Sequence, residues 1–157
     1  MRQLAPKIHE ALPWLSFRTR AVVDALLLAG GPVGTTERLA ARLGLRSRFQ
    51  LASLLRDEGL PSLPRLAGWM TVLQWTWDWA HEELSLSQTA LHAGKEPGAC
   101  YRLVKRITGR PWTVVRVAGP DWVLSEFLAE CTMRLPNRER ARRTISRGWR
   151  RIGIVAR

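Results

Sequence analysis

The sequence predicts an all-α protein: two helix-turn-helix subdomains joined by a long connecting helix, followed by a further helix and a basic tail. Three observations predict it. A short apolar-patterned segment, a glycine turn and a second such segment occur within residues 36–59 and recur within residues 84–109. The two copies keep their spacing. Ala40 precedes Gly44 as Ala90 precedes Gly94, and Gly44 stands as far from Gly59 as Gly94 does from Gly109. Between them, SLPRLAGWMTVLQWTWDWA carries Leu66, Trp69, Met70, Leu73 and Trp77 at the 3-4-3-4 spacing of one helix face.

Residues 1–16 read as a short arm, interrupted by Pro6 and Pro13, with Trp14 docked on the domain. A first helix spans 18–28 with Val22, Val23, Leu26 and Leu27 inward, and Gly30-Gly31-Pro32 ends it. Thr35 or Thr36 caps the next helix, since a hydroxyl there satisfies a free backbone N–H. Leu45-Arg46-Ser47-Arg48 then leads into a second helix with Phe49, Leu51, Leu54 and Leu55 apolar, stopped by Gly59-Leu60-Pro61.

On that helix Arg46, Ser47, Arg48, Gln50 and Ser53 are the candidates to meet DNA. Arginine can hold a guanine edge through two hydrogen bonds and glutamine an adenine edge. Phe49 reads first as a core plug and second as an apolar contact to a thymine methyl. On the connecting helix, Trp75 and Trp79 fall on a different side from the core stripe. Packing is the leading account of them, with an exposed pair open to a protein partner as the other.

In the second copy Ala90 is small where two helices cross, and Gly94 supplies the permissive backbone of the turn. Glu96, Pro97 and Gly98 open the following helix, with proline acceptable in a first turn. Tyr101, Leu103, Val104 and Ile107 form its apolar run, while Lys95, Arg102, Lys105 and Arg106 lie outward. Those four cations, with Glu96 and Tyr101, are the second set of DNA-contact candidates. Beyond Trp112, Pro120-Asp121 starts a helix whose Val123, Phe127, Leu128, Cys131 and Leu135 make one stripe. From Arg134 onward the chain holds nine arginines against one glutamate. Arg138, Arg140, Arg142, Arg143 and Arg147 are the candidate phosphate contacts of an electrostatic arm, with Trp149 able to stack.

Through Leu39, Ala40, Leu43, Gly44, Leu45, Leu51, Leu55 and Gly59, and again through Ala90, Gly94, Tyr101, Lys105, Arg106, Thr108 and Gly109, the chain resembles the DNA-binding half of the AraC/XylS family of bacterial transcription regulators. The resemblance covers roughly residues 17–115. It departs from the family at Lys95, where an aromatic or aliphatic residue is usual, and each glycine-to-glycine segment is about one residue shorter. The resemblance implies two recognition helices in successive major-groove faces. It divides the chain into an arm (1–16), a first helix-turn-helix subdomain (17–61), a connecting helix (62–81), a second subdomain (82–117), an extra helix (118–135) and an Arg-rich tail (136–157). Many family members carry a separate effector-binding domain, for which sixteen residues ahead of the first helix leave no room; a regulator without a small-molecule effector is expected.

Composition agrees with a folded, polyanion-binding chain. The 46% hydrophobic content supports a core, and 25 basic against 13 acidic residues leave a net charge of +12. Phosphate neutralisation by such a surface releases counterions and raises affinity without any base reading. No run approaches the roughly 18 apolar residues of a membrane span. The first residues lack a secretory leader's apolar stretch, so a cytoplasmic, nucleoid-associated protein is expected. Cys100 and Cys131 read as small buried hydrophobes of a reducing compartment. Asp78, His81, Glu82 and His92 match no metal-site spacing, no nucleophile–base set or phosphate loop is present, and no enzyme or cofactor is expected. The expected function is a sequence-specific regulator of double-stranded DNA. The alternatives are a module that binds RNA polymerase or another protein, and a non-specific nucleic-acid-binding protein.

Overall fold

The computed structural model describes residues 4–135 apart from 83 and 93, and all regular structure among them is helical. Eight helices follow in order: α1 (Leu4–Ala11), α2 (Phe17–Ala29), α3 (Thr36–Arg42), α4 (Arg48–Asp57), α5 (Leu63–Glu82), α6 (Leu86–His92), α7 (Pro97–Thr108) and α8 (Trp112–Arg134). Within the arm expected at residues 1–16, Leu4–Ala11 is a helix instead. Leu4, Ile8 and Ala11 share one face and are buried, and this apolar stripe outweighs Pro6. Pro6 lies in the first turn of α1, where its missing N–H removes no intrahelical bond. Trp14 does dock, donating its Nε1–H to the Glu58 carbonyl at 3.2 Å. His9 Nε2 lies 3.0 Å from Asp24 Oδ1 and links α1 to α2.

α5 is the axis of the core. Leu66, Met70, Val72 and Leu73 are fully buried, and Thr71 and Thr76 return their hydroxyls to carbonyls one turn back. Trp75 and Trp79 do not form an exposed pair. Trp75 is only 5% exposed and Trp79 packs half-buried against the core, because α5 is covered on several sides. α2 and α7 pack on it, and α8 runs along it. A helix clothed this way has no solvent face to reserve for tryptophan.

The C-terminal helix is therefore part of the body. α8 begins at Trp112, bends at Gly119 (φ 81, ψ 176) and restarts at Pro120, whose ring cannot accept the preceding helical geometry. Val123, Leu124, Phe127, Leu128 and Cys131 of its second half are buried, and the Phe127 ring lies 6.0 Å from that of Trp69. Leu135, expected to close the stripe, is half-buried against Gly59. Truncating a side chain such as Phe127 would cost about 3–5 kcal/mol.

Candidate nucleic-acid interface

The two glycine turns close in the same way. After α3, Gly44 takes φ 68 and the Leu45 N–H reaches back to the Ala40 carbonyl at 2.9 Å. After α6, Gly94 takes φ 63 and the Lys95 N–H reaches the Ala90 carbonyl at 2.8 Å. Each is the six-to-one hydrogen bond of a left-handed helix stop, a conformation that glycine adopts without a Cβ clash. Ala40 and Ala90, whose carbonyls accept these bonds, are both buried. The helix after each turn starts on a side-chain cap. Ser47 Oγ accepts the Gln50 N–H at 3.4 Å, and the Glu96 carboxylate accepts those of Gly98 and Ala99 at 2.6 and 2.7 Å.

Around α4 the candidates are exposed or half-buried, and several hold one another. The Arg46 N–H donates to Gln50 Oε1 at 2.7 Å, on a residue that is exposed. Arg48 pairs with Glu37 at 3.3 Å and lies 5.0 Å over the Phe49 ring. Ser53 accepts from Arg56 at 2.7 Å. Phe49 is not the core plug expected. It is 71% exposed, because the inward stripe of α4 runs through Leu51 and Leu55 and leaves position 49 on the outer side.

Around α7, Arg102, Lys105 and Arg106 are exposed. Glu96 occupies the helix N-terminus and pairs with Arg102 at 3.1 Å. The Gly98 and Ala99 N–H groups hold its carboxyl below the usual range, with Arg102 adding to the effect. An anion already fills the place where a helix N-terminus would meet phosphate. Tyr101 belongs outside rather than in the apolar run, with its hydroxyl 3.4 Å from Ser87 Oγ. Lys95 turns back over the body, its Nζ 5.7 Å from the Trp75 ring centre. Arg138, Arg140, Arg142, Arg143 and Arg147 lie outside the described residues.

What holds the end of α7 was not visible in the sequence. Glu130 of α8 accepts from Arg65 Nε at 2.7 and 3.0 Å, from Trp69 Nε1 at 2.8 Å and from Arg134 Nη2 at 2.8 Å. Arg65 in turn donates to the Arg106 and Ile107 carbonyls at 3.5 and 3.3 Å, the free acceptors at the α7 C-terminus. Burial pushes the Glu130 carboxyl up, but the hydrogen bonds from Arg65, Trp69 and Arg134 outweigh it and hold the group below its ordinary value. The carboxylate joins α5 to α8, and through Arg65 the junction extends to α7.

Beside α4 lies an apolar groove of about 430 Å³, formed by Phe49, Ala52 and Leu55 with Leu60, Pro61 and Leu63 and rimmed by Arg48, Arg56 and Arg134. Both cysteines are buried and burial pushes both thiols up, so neither presents a reactive thiolate. No helix among the described residues is long and apolar enough to cross a membrane. The chain matches no family model, no curated protein and no solved structure.

Proposed function

We propose that this chain is a sequence-specific double-stranded-DNA-binding regulator that offers α4 and α7 to successive major-groove faces. The observation that carries the reading is the repeated turn. Two short helices end on the same left-handed glycine stop, and each hands over to a capped helix whose outer side carries cations. Major-groove entry needs a helix that is apolar on one side and bears donors on the other. The net charge of +12 supplies the sequence-independent attraction. α5, buried along most of its length, is the spacer between the two units, as grooves about 34 Å apart require. Within this scheme α4 reads bases through Arg48 and Gln50. The acidic cap at Glu96 makes α7 chiefly a backbone clamp through Arg102, Lys105 and Arg106.

Selection from a pool of randomised duplexes, followed by titration against the enriched duplex and a scrambled one, tests the proposal. Tight binding with a large specificity ratio supports it. Equal, salt-sensitive binding to both duplexes would mean non-specific coating. Binding to neither would favour a protein-interaction module, for which the groove beside α4 is the specific supporting feature.

A further inference from the structure

We infer that Arg48 and Phe49 together read a guanine beside a thymine, the phenyl ring meeting the thymine 5-methyl group; the inference rests on the DNA-binding reading of α4. Phe49 is the one large apolar side chain that α4, described throughout, leaves in water. Exposure of a single apolar residue needs no explanation by itself. What sets this one apart is its neighbour. The Arg48 guanidinium lies 5.0 Å over the ring and pairs with Glu37 at 3.3 Å. A guanidinium resting over an aromatic face and paired with a carboxylate is biased toward that place, and its planar fork has N–H groups besides the paired one to point outward.

In the major groove guanine presents two acceptors, O6 and N7, and thymine presents O4 and the methyl group. The fork of Arg48 matches the first and the phenyl ring matches the second. Because the guanidinium lies over the ring, the two contacts fall on neighbouring base-pair levels. Both side chains belong to the first turn of α4, directly after the Ser47 cap, the end of a recognition helix that approaches base edges. The exposed aromatic on α7 is different in kind: Tyr101 directs its hydroxyl toward Ser87 and has a polar rim.

The experiment uses the full-length chain and the duplex it enriches from a randomised pool. Each thymine is replaced singly by deoxyuridine, which removes only the methyl group, and each guanine by 7-deazaguanine, which removes N7. One thymine is expected to lose about fourfold in affinity as deoxyuridine, the worth of one buried methyl. That difference should vanish in Phe49→Ala, whose exposed site leaves folding intact by circular dichroism. The adjacent guanine should be sensitive to 7-deaza substitution in the wild type and insensitive in Arg48→Ala. Enrichment with no methyl-sensitive thymine, or a thymine preference that survives in Phe49→Ala, overturns this inference alone. So does full DNA affinity in Phe49→Ala, which would assign the ring to the groove and a protein occupant. Failure to enrich any duplex overturns the DNA-binding reading and this inference with it.

Discussion

Replacing Glu130 by alanine should be among the most damaging single changes in this protein. The side chain is 12% exposed and accepts from Arg65, Trp69 and Arg134. Truncation leaves the Trp69 indole N–H, on a residue 3% exposed, without an acceptor. An orphaned buried donor costs about 1–3 kcal/mol. Breaking a fully buried ion pair costs about 3–5 kcal/mol, but Arg65 and Arg134 are 36% and 46% exposed and can be rehydrated, so that range is an upper limit. A net loss of about 2–4 kcal/mol follows, or a fall in melting temperature on the order of 10 °C. Glu130→Gln keeps one acceptor oxygen and should lose roughly half as much.

The carboxyl titrates below its ordinary value, so its stabilisation is complete above the unfolded glutamate range of about 4.3 and fades as pH falls through the lower folded value. The gap between wild type and Glu130→Gln should therefore close at acid pH. Thermal and urea unfolding followed by circular dichroism between pH 3 and 8 gives both quantities. Glu126→Ala, one turn earlier on α8 and exposed, is the control and should stay within about 0.5 kcal/mol of wild type. A Glu130→Ala protein no less stable than that control would refute the three-helix junction.

Gly59 and Gly94 both have positive φ but differ in surroundings. A Cβ on Gly94 meets nothing within 4 Å, so Gly94→Ala should cost only the left-handed penalty of about 1–2 kcal/mol. A Cβ on Gly59 would stand 2.6 Å from Leu135 Cγ and 3.1 Å from the Cys131 carbonyl oxygen, so Gly59→Ala should exceed that by about 1–3 kcal/mol; equal urea midpoints for the two variants would contradict the packing. Burial, with Glu82 nearby, raises the Asp78 carboxyl, so stability is lost as pH climbs from the ordinary aspartate range through the raised value and the full penalty stands above it. Asp78→Asn should raise the melting temperature at pH 7 and lose that advantage in acid, and a lower melting temperature at pH 7 would refute the sign. Removing residues 136–157 should weaken binding to every duplex alike and flatten the salt dependence, by roughly 3–4 units of slope if four arginines contact phosphates. An unchanged slope would assign that charge to another partner.

The sequence by itself determined the elements that local chemistry dictates. The all-helical fold was legible in apolar stripes of helical period, and the stops at Gly44, Gly94 and Gly109 in glycines that adopt positive φ. The cap at Thr35 announced itself by a hydroxyl before an apolar run, whereas Ser47, expected as a DNA contact, serves as the cap of α4. These signals lie within a few residues of what they specify. Tertiary structure decided the rest. Periodicity shows which residues share a side of a helix, but not how many neighbours will cover the other sides. For Trp75 periodicity leaves packing and exposure both open, and the enclosure of α5 decides for packing; Phe49 reads as core, although no helix packs over it to bury it. Pro6 looked like a breaker because its place in a first turn depends on where α1 begins. The junction at Glu130 brings together Arg65 and a residue 65 positions later, and no local pattern marks two such residues as partners. An isolated glutamate on an apolar stripe is ambiguous in sequence. The helices packed around it turn it into the acceptor that ties α5 to α8, with Arg65 carrying the junction on to α7.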